Sequence, residues 1–150
     1  MLRERILAAL APRRTVHAHC DIPCGIYDPH GAEMAAKTVS KMVALINDAA
    51  AVAGQGGQVE LEARNKVIRC VKVKEEHAEL CKRELQVLWS DYFKPEHLEK
   101  HPDLHDRFWK ALKQAGKCKQ SVDAAAAAEL EAQVARIADV FWETKGGRPS

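Results

Sequence analysis

The chain has 150 residues, a length that favours a single compact domain. Its composition is 47% hydrophobic and only 5% aromatic, with 8 glycines and 6 prolines, which argues against disorder, collagen-like repeats and a β-sandwich and favours helices. Residues 1–18 contain four arginines and one glutamate, a local charge of +3, so the net charge of +2 leaves −1 for residues 19–150. A chain with that charge has no general electrostatic reason to bind nucleic acid. No stretch approaches the roughly 18 uninterrupted apolar residues of a membrane span.

The first segment, residues 1–18, is interpreted as a leader. Its apolar run, Ile6 to Ala11, has six residues with arginines on both sides, whereas a secretory signal has about 7–15 apolar residues behind its basic ones. Export is therefore poorly supported. Val16-His17-Ala18 resembles a small-residue cleavage site, and a frayed amphipathic helix is the alternative.

Two long helices are predicted after a polar segment. Asp28-Pro29 has the form of an N-cap followed by proline in the first turn, and it predicts a helix to about Ala53. After a glycine-rich reversal, the apolar pattern predicts a second helix from Val59 to about Trp89. One charged residue, Lys74, interrupts its apolar seam.

Two further helices are predicted beyond two prolines, which leave room for at most one helical turn between them. The third helix begins at Pro102 and ends at about Ala115, where Gly116 stops it. The fourth runs over 124–144, with Ser121 or Asp123 as its cap. Because short connections favour antiparallel neighbours, the predicted fold is all-α, an up-down-up-down four-helix bundle that forms one domain over residues 19–150.

The residues that carry chemistry lie just before the first helix, where 19–29 reads HCDIPCGIYDP. Cys20 and Cys24 place two thiols near an imidazole, and Pro23 and Gly25 favour a sharp turn. Thiolates and imidazole bind late transition metals in preference to calcium or magnesium. A disulfide between the two cysteines is the alternative.

Three familiar cysteine sites do not fit this segment. A structural zinc site usually has four ligands, and this segment supplies three. An iron–sulfur loop of the radical type needs a third cysteine where Tyr27 stands. A thioredoxin-like site has two residues between its cysteines and a βαβ context, and neither is present here.

The string HCDIPCGIYDP resembles the metal-binding hook of nickel-containing superoxide dismutases. Residues 88–95 (LWSDYFKP) and 141–145 (FWETK) also match, so the resemblance spans His19 to Lys145. It implies an oxidoreductase that converts superoxide to dioxygen and hydrogen peroxide, a nickel cofactor held by the hook at 19–29, and a homohexamer of four-helix bundles.

The resemblance also implies the ligands. Cleavage between Ala18 and His19 frees the α-amine of His19, which supplies that amine and its imidazole. Cys20 supplies a thiolate and its backbone nitrogen, and Cys24 supplies the second thiolate. These strong donors stabilise nickel(III), so the metal alternates between Ni(II) and Ni(III). A processing peptidase and a nickel supply are the implied partners.

Several residues are expected around the hook by the same resemblance. Tyr27, with the backbone N–H groups around Asp21, is expected to guard the open side and to hydrogen-bond the incoming anion, and packing of the loop onto the bundle is its alternative role. Pro23 is expected in the cis form. Tyr92 and Trp89 are expected to line the bundle surface beneath the hook, with a packing role for Trp89.

One pair of positions departs from the family pattern. In better-known members a glutamate on the first helix and an arginine on the second steady the hook histidine, and here Ala35 and His77 occupy those positions. His77 is the candidate that takes over this role. A solvated or core-edge histidine is the alternative.

Three cysteines lie outside the hook. Cys70 and Cys81 are predicted to be buried as small apolar residues, and Cys118 to be an exposed or loop thiol. Retained thiols fit a reducing compartment, here the bacterial cytoplasm.

Two other functions are weighed against the enzyme. The first is a helical nickel- or copper-binding or storage protein without catalysis. The second is an interaction module with a Cys20–Cys24 disulfide.

Overall fold

A computed structural model describes residues 26–52 and 54–148, and every regular element in those ranges is helical. The predicted leader and its cleavage point lie outside the described residues. The elements are α1 (His30–Ala50), α2 (Gly57–Val87), a π-helix (Leu88–Tyr92), α3 (Pro95–Lys100), α4 (Leu104–Gln120) and α5 (Ala124–Thr144).

The four long helices form a bundle in which each packs against two others. Helix α1 lies against α2 and α5, and α4 lies against the same two helices. Because short turns join α1 to α2 and α4 to α5, these neighbours run antiparallel, and the predicted four-helix bundle is confirmed. Within the described ranges, no helix has the length and apolar character that crossing a membrane requires.

The predicted cap of the last helix, Asp123, is confirmed, whereas the N-cap of α1 is Pro29, one residue after the predicted Asp28. The His30 N–H donates to Asp28 Oδ1 at 2.6 Å where α1 begins, and Asp123 Oδ1 accepts from the Ala126 N–H at 3.1 Å where α5 begins. Helix α1 ends at Ala50, slightly before the predicted end, and the reversal that follows uses glycines with positive φ. The local sequence therefore specified where these helices start.

Two predictions for the third long helix are wrong. Helix α4 passes through Gly116 and ends at Gln120, because its buried face continues through Ala115 and Cys118. That burial offsets the cost of about 1 kcal/mol for a glycine inside a helix. Cys118 is therefore buried, only 2% exposed, and is not an exposed or loop thiol. The short α3 between the prolines also exceeds the single turn that was predicted.

The charged residue in the seam of α2 is a fully buried ammonium group. Lys74 is 2% exposed and donates to three backbone carbonyls at the end of α4. The acceptors are Cys118 O at 2.5 Å, Lys119 O at 2.8 Å and Ser121 O at 2.9 Å. Burial lowers the pKa of Lys74, while nearby Glu75 opposes that shift. The three ammonium protons satisfy carbonyls that the helix end leaves without partners.

We expect Lys74→Met to lower the free energy of unfolding by about 2–4 kcal/mol, because buried carbonyls lose their donor while the side-chain volume is kept. Denaturant unfolding of the metal-free chain measures this change. Lys72→Met is the matched control on the same helix, since the Lys72 side chain is 76% exposed, and we expect a change below about 0.5 kcal/mol. Equal unfolding midpoints for the two variants would contradict the capping role.

Candidate metal centre

Residues 26–29 are the described part of the predicted hook and join it to the bundle. Ile26 is 84% exposed, Tyr27 is half-buried, Asp28 is exposed, and the side chain of Pro29 is fully buried. Within this range Tyr27 and Pro29 are therefore the residues that pack against the bundle, at the end where α1 begins.

Two chain segments meet the first turn of α1 at this end, and a third contacts Tyr27 just before it. A Cβ atom on Gly31 would lie 2.9 Å from Glu84 Oε2, so the last turns of α2 approach α1 closely here. On the other side, Arg148 Nη2 lies 2.9 Å from Glu33 Oε1, which brings the segment after α5 to the same turn. The hook attachment is therefore bordered by α2, by the chain after α5, and by the π-helix that continues α2.

Tyr27 packs against Tyr92, the last residue of the π-helix. The two ring centroids are 5.6 Å apart and the ring planes are inclined by 56°. Tyr92 in turn lies 4.5 Å from the Phe141 ring, centroid to centroid, and Phe141 is fully buried in the core. A series of aromatic contacts thus links Tyr27 of the predicted hook to the centre of the bundle.

Other groups fix the Tyr92 side chain in place. Its hydroxyl oxygen lies 2.5 Å from Thr144 Oγ1, at the end of α5. The His97 ring stacks on it with centroids 5.7 Å apart, and Lys145 Nζ lies 5.1 Å from the Tyr92 ring centroid. Tyr92 is thereby held by α3, α5 and the residue after α5.

The π-helix that carries Tyr92 was not predicted from the sequence. Its wider turn is closed by the Phe93 N–H, which donates to Leu88 O at 3.1 Å, and then Lys94 is extended ahead of Pro95. The proline was the available signal, because it forces the preceding residue out of the helical region within a few residues. Periodicity alone gave no sign of the wider turn. Short π-helices are frequent at functional sites.

Trp89 packs against α4. Its Nε1–H donates to His105 Nδ1 at 2.7 Å, and its ring stacks on Phe108 with centroids 6.0 Å apart. These contacts join the π-helix to the core of the bundle.

His77 lies on α2 and is half-buried. Its Nδ1 is 2.9 Å from Val73 O, and because a carbonyl only accepts, Nδ1 carries the proton. Nε2 is then the nitrogen that has a lone pair in the neutral ring. Ala35, on α1, is 1% exposed and offers no polar side-chain group.

The predicted ligands His19, Cys20 and Cys24, with Asp21 and Pro23, lie outside the described residues. Across 26–52 and 54–148, no group of three or more His, Cys, Asp or Glu side chains is arranged to hold a metal ion. The donor set of the hook segment, two thiols beside an imidazole, fits a late transition metal such as nickel.

The three cysteines of the bundle, unlike the ligands that metals require, are free thiols buried in the structure. Desolvation raises the pKa of Cys81 to about 12, with smaller contributions from Cys118 and Glu84. Desolvation also raises the pKa of Cys118, and Cys70 is buried. The raised pKa keeps the thiols of Cys81 and Cys118 protonated at neutral pH, which makes them poor ligands and nucleophiles.

Comparison with protein families gives a match between residues 14–145 and the family model of nickel-containing superoxide dismutase. The chain belongs to this family. Membership confirms the resemblance, the enzyme class of superoxide dismutase and nickel as the cofactor.

Two curated superoxide dismutases of the nickel type are close relatives. The chain is 39% identical over 138 residues to the enzyme of Streptomyces seoulensis, and 40% identical over 135 residues to that of Streptomyces coelicolor. Each alignment covers 90% of this chain and 94% of the relative. The native nickel superoxide dismutase structure is 37% identical with a TM-score of 0.72, covering 86% of this chain and all of that one.

Structures of three variants of nickel superoxide dismutase also match: one is substituted at the aspartate in position 3, one at the tyrosine in position 9 and one at the histidine in position 1. The aspartate and tyrosine variants each have a TM-score of 0.73 at 36% identity, and each match covers 86% of this chain and 100% of the solved chain. The histidine variant has a TM-score of 0.67 at 35% identity, and the match covers 80% of this chain and 99% of the solved chain.

We expect iodoacetamide to leave Cys81 unmodified in the folded chain, because at pH 8 a thiol with a pKa of about 12 is ionised in roughly one molecule in ten thousand. Cys118 is 2% exposed and its pKa is also raised by burial, so we expect it to be protected as well. Mass spectrometry of peptides from folded and denatured protein measures this. In denaturant, all 5 cysteines react. Rapid labelling of Cys81 in the folded chain would contradict the burial described here.

Proposed function

We propose that this chain disproportionates superoxide at a nickel ion held by His19, Cys20 and Cys24, after removal of residues 1–18. The observation that carries this proposal is the run HCDIPCGIYDP, in which Tyr27 makes the aromatic contact that joins the run to the end of the bundle. A loop that holds a reactive metal needs such an anchor on a rigid scaffold.

The solved variants support the proposed start of the mature chain. In nickel superoxide dismutase the substituted aspartate lies two residues after the first-position histidine, and the substituted tyrosine lies six residues further. In this chain His19, Asp21 and Tyr27 have the same types and spacings. Cleavage before His19 would give this chain the same N-terminal residue.

The ligand roles follow from donor chemistry. When bound, nickel supplies the one-electron change between Ni(II) and Ni(III) by which one superoxide is oxidised to dioxygen and another, with two protons, is reduced to hydrogen peroxide. The thiolates of Cys20 and Cys24 are strong donors that favour the higher oxidation state. The His19 nitrogen becomes an amine donor only once its peptide bond is cut, because the lone pair of an amide nitrogen is delocalised.

Tyr27 is the proposed contact for the anion. Its phenol is a hydrogen-bond donor and acceptor, and its ring is oriented by the neighbouring Tyr92 ring. We therefore assign Tyr27 two roles: its ring packs against the bundle and holds the loop, and its hydroxyl forms a hydrogen bond with superoxide. The backbone N–H groups around Asp21 are the other proposed donors.

Assembly and location complete the proposal. We take the mature chain to form a homohexamer in the bacterial cytoplasm, after a peptidase has removed the leader. Exposed apolar side chains on different helices are compatible with such packing: Leu61, Ile68 and Trp109 are 61%, 69% and 56% exposed.

The decisive experiment assays cleaved and uncleaved chain, each with and without nickel. We expect catalysed superoxide loss only from cleaved chain with nickel, because only that form has a terminal amine beside two thiols. Cys24→Ser in the cleaved chain removes one thiolate and should abolish activity. Catalysis by the uncleaved form would overturn the leader proposal, and nickel binding without catalysis would favour the storage alternative.

We also propose that His77 steadies the imidazole of His19. The Nδ1–H of His77 is engaged by Val73 O, so its Nε2 offers an acceptor for an imidazole N–H, which Ala35 lacks. Loss of such a partner typically costs about 10- to 100-fold in metal affinity or activity.

We expect His77→Ala to lower activity within that range and to change the Ni(III) electron paramagnetic resonance spectrum. His77→Gln, which retains an acceptor oxygen, should keep more of both. Activity and spectrum unchanged in His77→Ala would show that His77 has no such role.

A further inference from the structure

The outer face of α2 and of the π-helix forms an acidic groove, defined here as the groove lined by side chains of 75–90 and by Lys119 of α4. Its volume is about 1110 Å³. A Cβ atom on Gly31 would lie 2.9 Å from Glu84 Oε2, so one end of the acidic groove borders the first turn of α1. The groove is therefore next to the place where the chain enters the bundle.

Negative charge predominates in the acidic groove. Four of its side chains are carboxylates and two are cations: Glu75, Glu76, Glu79 and Glu84 against Arg83 and Lys119. One of the cations is engaged within the groove, because Lys119 Nζ lies 3.0 Å from Glu79 Oε2, and this hydrogen bond lowers the pKa of the Glu79 carboxyl. Glu75 and Glu76 are exposed, so a cationic partner can reach their carboxylates.

Apolar side chains lie in the same groove. Leu80 is 41% exposed and Val87 is half-buried. Because they are seven residues apart, they lie along one side of the helix, about 10.5 Å from each other along its axis. A peptide that complements the acidic groove therefore carries cationic and apolar side chains close together.

Residues 1–18 of this chain have that composition. They contain four arginines and one glutamate, and the apolar residues Ile6, Leu7 and Leu10 lie between Arg5 and Arg13. We propose that this segment docks in the acidic groove of its own chain until it is removed. The inference rests on the proposed function only in taking residues 1–18 as the part that is cleaved off.

The link between this segment and the groove is long enough. Seven residues, 19–25, separate Ala18 from Ile26, and a fully extended link of that size spans up to about 26 Å. From Glu84 to Glu75 the axis of α2 advances about 14 Å. Tethering by so short a link gives an effective concentration on the order of millimolar. A dissociation constant of about 100 µM would then leave the segment docked in about nine chains of ten.

The first test uses a synthetic peptide of residues 1–18 and the metal-free chain that begins at His19, which retains the whole core of the bundle. Fluorescence anisotropy of the labelled peptide measures its dissociation constant at low salt. We expect a value of about 100 µM or below. Glu75→Lys combined with Glu76→Lys should raise it at least about tenfold, because two attractive contacts become repulsive.

A matched control lies at the other end of the α1–α2 pair. Asp48, near the end of α1, and Glu62, near the start of α2, are both exposed. Asp48→Lys combined with Glu62→Lys changes the net charge by the same amount, and we expect affinity within about twofold of the unsubstituted chain. Equal loss in the two double variants, or equal affinity for a peptide of scrambled sequence, would overturn the docking site.

The second test uses the full metal-free chain and limited digestion with trypsin, which cuts after arginine. Mass spectrometry follows cleavage after Arg13 and Arg14. Because digestion tracks the undocked population, we expect this cleavage to be about tenfold faster in the Glu75→Lys, Glu76→Lys variant than in the unsubstituted chain. The Asp48→Lys, Glu62→Lys variant should be cut at the unsubstituted rate.

The outcomes separate docking from catalysis and from another occupant. If the nickel-loaded cleaved chain does not catalyse, the proposed function fails while the docking measurements stand. If the peptide does not bind and trypsin cuts both double variants at the unsubstituted rate, docking fails alone. If the peptide does not bind but Glu75→Lys with Glu76→Lys dissociates an oligomer of the cleaved chain, the groove belongs to a second copy and the proposal is overturned.

Discussion

The packing of Tyr92 is the constraint on which the functional end of this molecule depends. One ring contacts Tyr27 on the side of the hook, Phe141 in the core and His97 on α3, and its hydroxyl bonds to Thr144. The aromatic contacts from Tyr27 through Tyr92 to Phe141 link the residues just before α1 to the core of the bundle. Tyr92 is the last residue of the π-helix, so the π-helix sets the position of this ring.

The parts of the fold that could be predicted from the sequence are those determined by local chemistry. Asp28 and Asp123 lie at helix starts because a side-chain carboxylate satisfies N–H groups within three residues of it. The bounds predicted for the fourth helix, 124–144, are those of α5, whose buried residues three and four apart share one face. Each of these signals is contained in a window of a few residues.

The errors arose where distant residues decide the outcome. Gly116 is a helix stop in a local reading, but the face that includes Cys118 is buried against the bundle, so α4 continues. Lys74 looked like a flaw in an apolar seam because its carbonyl acceptors come from 44 to 47 residues further along the chain. The longer α4 and the buried lysine are one feature, since the ammonium caps the turn that the local reading left out.

The candidate site likewise has one part that the local sequence could predict and one part that depends on distant residues. The ligand set could be predicted, and stays a prediction, because its residues lie together in 19–24, whereas the hydrogen bond between Tyr92 and Thr144 joins residues 52 apart and has no sequence pattern. His77 could be predicted only in part. The resemblance indicates its position, but only the hydrogen bond to Val73 O in the structure shows that Nε2 is the ring nitrogen left to bind another group.

Burial also distinguishes the cysteines of the bundle from the two cysteines that are predicted as ligands. A thiolate is the form that binds a metal, and desolvation in the core raises the pKa of Cys81 and of Cys118. Ionising either one would place a charge in the apolar interior, because both lie on faces of helices that pack together. Cys70 is buried as well. If Cys20 and Cys24 hold nickel as proposed, the hydrophobic core that forms the scaffold also removes competing ligands.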